Sequence, residues 1–384
     1  MKILTNIQCR SLKELARHTF MISWRDYLSK KKTQLVAADL YRSKDRDLSG
    51  KNQVLFKSPN LKLINRGVCY AELKNILVSA GNLEQLKDAL ASVIDGYRSI
   101  IKNERPHAVL INCTYYLPWC LYVAAKKEGV KKIVIHYHGI LKKEIGGYEK
   151  KPRDLLCEME KSFHNENDLV IFPSLFAKSV VEREVVCGNL KNWEVIPNPI
   201  PDHFFDCPLK KKGSGKNIGA VIRWSHIKNP GFLERLATYG VKNKKGYKIN
   251  IVSRPLRFDD NLYLKIKKVA NFIEPLDNRE LTNFYSRMDL IVCPSFFETY
   301  GNVAQESLAA GTPALVGYNM GIAELYRELG LDEWVVDFND FAGAVKTIGK
   351  ASFEAVGRSL RQKLRKKLNT GTVFDRLYKT LSRH

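Results

Sequence analysis

The apolar positions of this chain fall into short β-branched runs separated by longer amphipathic stretches. In the first half, Thr33–Tyr41, His107–Cys113, Lys132–Tyr137 and Asp168–Phe172 read as buried strands, and Met1–Ile7 fits a first strand. A parallel strand covered on both faces shows a near-continuous apolar run, not an alternation. Leu83–Lys102 and Leu117–Lys127 carry apolar residues at helical spacing and read as intervening helices. A second series has strands near Asn217–Arg223, Lys248–Ser253, Asp289–Cys293, Ala314–Gly317 and Trp334–Phe338. Residues 42–66 fit neither period. Repeated β-α units predict parallel sheets with right-handed crossovers. Two series predict an α/β chain of two Rossmann-like domains. Proline, glycine and lysine cluster from Asn198 to Pro201 and from Lys210 to Gly215, which marks a hinge. The expected boundaries are 1–200, 201–352 and a helical segment over 353–384.

The chemistry concentrates in the second series. After the apolar run Met288–Cys293 the chain reads Pro294-Ser295-Phe296-Phe297-Glu298-Thr299-Tyr300-Gly301-Asn302-Val303-Ala304-Gln305-Glu306, and then reaches Gly311-Thr312-Pro313. Asn302 is placed to cap a helix, with Gln305 reaching back to it, and Gly311 and Pro313 are placed to end it. Strand, loop and helix N-terminus in that order make an anion site in an open α/β sheet. Two carboxylates beside an anion site need another partner, and sugar hydroxyls suit them. Glu306 can accept from the two hydroxyls of a nucleotide ribose, and Glu298 from a sugar on the far phosphate. Upstream, Arg223 and Lys228 flank a second strand-to-helix turn in which Asn229-Pro230 forms the cap and first turn. Two fixed cations there can neutralise charge developing on a diphosphate leaving group.

This pattern resembles the donor-binding motif of retaining glycosyltransferases with the GT-B fold, in particular glycosyltransferase family 4. Pro294-Ser295, Glu298, Gly301, Glu306 and Gly311-Thr312-Pro313 stand in the family's order, as do Arg223 and Lys228. The resemblance implies two Rossmann-like domains facing across a cleft, the second binding a nucleoside-diphosphate sugar without a metal ion or other cofactor. It implies a donor set of Arg223, Lys228, Glu298, Thr299, Tyr300, Gly301, Asn302, Val303 and Glu306. UDP- or GDP-linked donors are expected, and base contacts come from backbone near Ser253–Pro255 and Phe272–Pro275. The motif also points to His138, in His136-Tyr137-His138-Gly139 at a strand end, as a cleft residue beside the transferred sugar. Glu298, His138, Arg223 and Lys228 form the expected catalytic group. There are two departures. Thr299 stands where the family commonly has glycine, and the segment after the first strand, Asn6–Lys13, has no glycine.

Charge and cysteine usage narrow this further. Lys and Arg number 63 against 40 Asp and Glu, a net charge of +23, and the excess is spread along the chain. An even excess of that size favours anionic partners such as nucleotides or phospholipid headgroups. Nothing resembles a nucleic-acid module, and no aromatic platform interleaves the basic residues, so nucleic acid is not the expected partner. The eight cysteines are scattered without metal-ligand spacing and read as free thiols of a reducing compartment. No apolar stretch is long enough to span a bilayer. These features predict a cytoplasmic protein, with peripheral contact to an anionic membrane as an option. The basic amphipathic stretch Leu12–Lys32 can pack on the sheet, which is the first expectation, or rest on such a surface. Asp45-Arg46-Asp47 has the form of a metal-bound nucleotide-sugar motif but lies in a charged run and reads as a solvated loop. The acceptor is expected to be a glycan, glycolipid or lipid-linked hydroxyl, in surface polysaccharide or glycoconjugate synthesis. A catalytically silent nucleotide-sugar-binding partner of an active transferase is the alternative.

Overall fold

A computed structural model describes residues 1–7, 19–39, 53–65, 76, 79–146, 149–208, 215–254, 260–352 and 354–383. Asp45-Arg46-Asp47, Pro255 and most of the glycine-free segment after the first strand lie outside them. The chain divides into two compact units. The first holds Met1–Pro173, Ala177–Ile196 and Phe374–His384, and the second holds Ser174–Phe176 and Pro197–Val373.

The first unit is built on an eight-stranded sheet. Its strands are β1 (Lys2–Ile7), β2 (Gln34–Asp39), β3 (Gln53–Lys57), β4 (Leu61–Asn65), β5 (Ala108–Asn112), β6 (Ile133–His136), β7 (Leu169–Phe172) and β8 (Trp193–Val195). Their order is β3-β4-β2-β1-β5-β6-β7-β8. Every neighbouring pair is parallel except β3 and β4. The strands at 53–65 occupy a region that the apolar pattern left unassigned. β3 is an edge strand with Val54 and Phe56 exposed and a register shift between them, so it has no buried run for a pattern to find.

One helical expectation changes in detail. Leu83–Lys102 is two helices, Leu83–Ala89 and Ala91–Glu104, meeting at Leu90. Leu86, Leu90, Val93, Ile94, Tyr97, Ile100 and Ile101 are buried across the break, so the apolar period runs on while the backbone does not. The described part of the basic amphipathic stretch is the Thr19–Lys30 helix. Trp24 and Leu28, one turn apart, are fully buried there, and the helix packs on β2. Trp24 and Leu28 of its apolar stripe therefore face the core. Trp24 lies 5.1 Å from the Phe374 ring, and the Tyr27 hydroxyl donates to Asp375 Oδ1 at 2.8 Å.

The second unit has a six-stranded, all-parallel sheet of β9 (Asn217–Val221), β10 (Lys248–Val252), β11 (Asn271–Ile273), β12 (Leu290–Cys293), β13 (Ala314–Gly317) and β14 (Val335–Val336). The order is β11-β10-β9-β12-β13-β14. From β9 the chain moves outward through β10 and β11, then returns to β12 on the other side of β9 and moves outward again. That reversal is a topological switch point, and ligands of open α/β sheets bind outside the strand ends there. The first sheet reverses in the same way between β1 and β5.

One basic residue of the carboxy-terminal segment has a structural role. Arg361, in the Arg358–Leu368 helix, is buried. Its Nε donates to Ala309 O at 2.8 Å, and its Nη2 donates to Phe205 O at 2.6 Å and Cys207 O at 2.8 Å. The guanidinium thus satisfies a carbonyl at the C-terminal end of the Asn302–Ala309 helix, where a cation is favoured. The six described cysteines are free; Cys120 and Cys293 are buried and Cys187 is exposed.

Candidate active site

In the second unit, β9 and β12 deliver the two sequence constellations to one place. After β9, Arg223 is exposed and the His226–Lys228 turn follows. Asn229 takes a left-handed conformation (φ 51°), and its side chain accepts from Phe232 N at 3.3 Å, with Pro230 in the first turn of the next helix. This cap is the one the sequence predicted. After β12, Phe296 N donates to Ile227 O at 2.8 Å and ties the two loops together. Lys228 Nζ lies 2.8 Å from Glu298 Oε1, and Ser295 Oγ donates to the same carboxylate at 2.8 Å. Lys228 and Glu298 are each about one-fifth exposed, so their charges stay within reach of a ligand.

The helix after this loop starts differently from the expectation. Gly301 is its cap residue, at φ 137°, and no side chain caps the first turn. Asn302 is already helical. Its Oδ1 accepts from Asn198 Nδ2 at 2.8 Å and faces Gln305 Nε2 at 3.5 Å, while Gln305 Nε2 also donates to Asn198 O at 3.3 Å and Pro199 O at 3.4 Å. Gln305 thus reaches back to Asn302 as expected, but Asn302 caps no backbone N–H, because its side chain is engaged by Asn198. Ala304 N donates to Gly301 O at 3.1 Å, and no side chain fills the N–H groups of Asn302 and Val303, a helix start that favours an anion.

Glu306, one turn further along, is half-buried, and its Oε2 accepts from the Tyr285 hydroxyl at 3.0 Å. Burial of its carboxyl pushes the pKa up to about 7, against the lowering effect of the Tyr285 bond. A carboxyl raised in the folded state holds its proton more tightly than in the unfolded chain. This contribution to stability is therefore present below the usual carboxylate range and is lost as pH rises to about 7. The buried Cys293 thiol, at the end of β12, is pushed up by burial, with Glu298 and Glu306 adding and Lys228 opposing. The three charged groups thus surround the end of one strand.

Not every predicted donor residue offers its side chain. Tyr300 is packed in the hydrophobic core, and its carbonyl accepts from Ile322 N at 2.9 Å. Thr299 is buried, and its carbonyl accepts from Ser174 Oγ at 2.7 Å. These two residues shape the loop, while Asn302 is exposed and Val303 half-buried at the helix start. Tyr285 and Ser174 carried no sequence signal, because their contacts with Glu306 and the Thr299 carbonyl are not local in the chain. Ser253 is buried at the end of β10, and its N–H donates to Ile273 O at 3.0 Å.

In the first unit, the switch point gathers Thr5 and Asn6 of β1, Asn112 of β5, and His136 and His138 at the end of β6. His138 Nε2 lies 3.1 Å from Asn112 Oδ1, and the two histidine rings are 4.2 Å apart. His136 is buried, and burial with the neighbouring His138 holds its pKa well below the usual histidine range. Next to this group, buried Glu160 accepts from Leu141 N, Lys142 N and Thr114 Oγ1 at 2.8–2.9 Å and fixes the turn after Gly139. The sequence identified His138; Asn112 and Thr5 gave no motif.

Comparison with known proteins agrees with this fold. The family profile of Glycosyltransferase Family 4 matches residues 82–204, and that of Glycosyl transferases group 1 matches residues 261–368. The chain belongs to the group 1 glycosyltransferases with the GT-B fold. Among curated relatives, D-inositol 3-phosphate glycosyltransferase 2 of Catenulispora acidiphila is 38% identical over 60 residues, which are 16% of this chain and 14% of the relative. Glycogen synthase of Mycobacterium tuberculosis is 30% identical over 113 residues, 28% of this chain and 27% of the relative. The chain therefore spans between about one-seventh and about one-quarter of the length of these two relatives. Among solved structures, sucrose-phosphate synthase from Thermosynechococcus elongatus superposes with a TM-score of 0.72 at 17% identity, covering 99% of both chains. The E. coli trehalose-6-phosphate structure bound with UDP-2-fluoro glucose gives 0.70 at 12% identity, covering 100% of this chain and 99% of the other. No described helix is long and apolar enough to cross a membrane.

Proposed function

We propose that this chain is a retaining, metal-independent glycosyltransferase that moves a sugar from a nucleoside-diphosphate sugar to an acceptor hydroxyl. The observation that carries the reading is the convergence of Lys228, Glu298 and Glu306 around the end of β12, beside a helix N-terminus that no side chain caps. Glu306 accepts from the ribose hydroxyls and Glu298 from the transferred sugar. Arg223, Lys228 and the amides of Gly301–Val303 hold the diphosphate, and two cations with a helix end supply the charge that a metal would otherwise bring. The anomeric carbon–oxygen bond to the β-phosphate breaks, a carbon–oxygen bond to the acceptor forms, and the acceptor proton passes to the leaving phosphate. His138 hydrogen-bonds a substrate hydroxyl as a neutral imidazole.

The acceptor in this reading is a glycan, glycolipid or lipid-linked hydroxyl, in surface polysaccharide or glycoconjugate synthesis. The relatives named above are called after inositol phosphate, glycogen and sucrose phosphate, all of them polyhydroxylated compounds. The +23 charge supports work at an anionic surface when that acceptor is lipid-linked.

Thermal stability measured against UDP, GDP, ADP, CMP and dTDP, each with and without EDTA, tests the donor site. A diphosphate at about 100 times its Kd adds about 2.7 kcal/mol. The expected result is a shift with UDP or GDP that EDTA leaves unchanged and Arg223→Ala abolishes. No shift with any diphosphate favours the catalytically silent alternative. The Glu306 carboxyl adds a pH signature. Ribose hydroxyls donate best to the ionised group, so nucleotide affinity is expected to rise as pH increases through about 7. Glu306→Gln should bind several-fold more weakly and flatten that profile, read by titration calorimetry across the range.

A further inference from the structure

His138 can accept a hydrogen bond from a substrate hydroxyl only through a ring nitrogen that carries no proton, and the surrounding hydrogen bonds decide which nitrogen that is. They form a chain whose direction is set by a group that can only accept. The Leu110 carbonyl takes the Thr5 hydroxyl proton at 2.7 Å. With its proton committed, Thr5 Oγ1 is an acceptor, and Asn112 Nδ2 donates to it at 2.7 Å. Asn112 Nδ2 also faces the Asn6 carbonyl at 3.4 Å, a second group that can only accept. Turning the amide over would set its oxygen against that carbonyl and against Thr5 Oγ1, whose proton is committed to Leu110, so the amide is oriented from two sides. Its Oδ1 then faces His138 Nε2 at 3.1 Å. The backbone of Asn112 is held equally firmly: its N–H donates to Asn6 Oδ1 at 2.8 Å, and its carbonyl accepts from Asn6 Nδ2 at 2.9 Å.

We propose that Asn112 is a positioning residue that locks His138 in the Nε2–H form, with the Leu110 carbonyl and Thr5 fixing its direction, so that Nδ1 is the acceptor nitrogen of the ring. The device deepens the transfer reading above and rests on it only for the use made of Nδ1. It also gives a reason for two asparagines and a threonine at the switch point of the first sheet, where β1 and β5 part. A second nitrogen set by a hydrogen bond on the first is the usual way in which a protein chooses a histidine tautomer.

The test is nitrogen-15 NMR of the full chain with labelled histidine, the His138 signals assigned by their loss in His138→Gln. The expected wild-type result is a proton on Nε2 that exchanges slowly enough to be seen, with Nδ1 unprotonated. Asn112→Leu should lose that proton signal to fast exchange. The volume-conserving Thr5→Val should weaken it, and Thr5→Ser, which keeps the hydroxyl, should retain it. Kinetically, Thr5→Val should lower kcat for sugar transfer while leaving the KM for the donor within about twofold, since the ring stays in place and only its proton loses its fixed position. A proton on Nδ1 in the wild type, or Nε2–H protection in Asn112→Leu equal to wild type, overturns the proposal. The NMR uses no substrate, so a failed transfer assay with an intact Nε2–H lock counts against the transfer reading and not against the lock.

Discussion

Lys228→Ala is expected to lower the rate of sugar transfer about 10²–10³-fold, the cost of removing one preorganised donor to a developing anion. Lys228 belongs to a turn held by its own backbone, with Lys228 N donating to Ser225 O at 3.1 Å, and by the Phe296–Ile227 bond, so the truncation leaves the loop in place. What it removes is the cation beside the Glu298 carboxylate and, in the proposed function, beside the leaving diphosphate. Two measurements separate those roles. Sugar release from the donor in the purified variant reads the chemistry, and UDP or GDP binding by calorimetry reads the ground state. A large fall in rate with a smaller fall in nucleotide affinity places the lysine on the developing charge. A rate within about threefold of wild type would remove Lys228 from the mechanism.

Gly301→Ala is the second large effect, and it acts on the backbone. Gly301 sits at φ 137°, where an L side chain is strained, and an added Cβ would lie 2.7 Å from Ile322 Cγ2 and 3.1 Å from the end of Met320. Strain of about 1–3 kcal/mol adds to an overpacking cost of about 1–3 kcal/mol. The expected loss of stability is about 2–6 kcal/mol, read from denaturant midpoints. Because Gly301 is also the cap of the Asn302–Ala309 helix, the variant should lose diphosphate-dependent thermal stabilisation even at temperatures where it remains folded. Gly231→Ala is the control. Gly231 lies at the second position of the other strand-to-helix turn, and its nearest neighbour to an added Cβ is 4.0 Å away. If Gly301→Ala unfolds at the same denaturant concentration as wild type, the strained cap is not limiting the site.

Much of this was legible in the chain because parallel strands covered on both faces announce themselves. β5, β6, β7, β12 and β13 are continuous apolar runs, and each appears within a residue or two of its expected place. Of the strands the pattern did not find, β4 is a buried inner strand in the unassigned 42–66 region, and the others are short or at an edge. β8 and β11 are three residues each, and β3 exposes the very side chains that would have betrayed it. The break at Leu90 was invisible for the opposite reason: burial kept its period across a discontinuity in the backbone. At the site, Arg223, Lys228, Glu298 and Glu306 could be read because their spacing is tied to the local strand-loop-helix turns that carry them. Gln305 does reach back to Asn302, but the cap there was misread because Asn198, a hundred residues earlier, engages the Asn302 side chain, and local rules contain no such competitor.

The sequence alone determined that two series of β-α units form two parallel sheets, and that the second carries paired carboxylates and paired cations at the ends of its strands. Apolar period and turn chemistry are local properties, and they suffice for that. Only the tertiary structure decided which of those groups meet. Strand order placed β9 beside β12, so that Lys228 reaches Glu298, and packed Tyr285 on Glu306, so that burial moves its carboxyl toward neutrality. It also brought Asn112 between Thr5 and His138, residues more than a hundred and about twenty-six positions away. Proton positions and charge states depend on neighbours within a few ångströms, and those neighbours are chosen by topology, which no window along the chain contains.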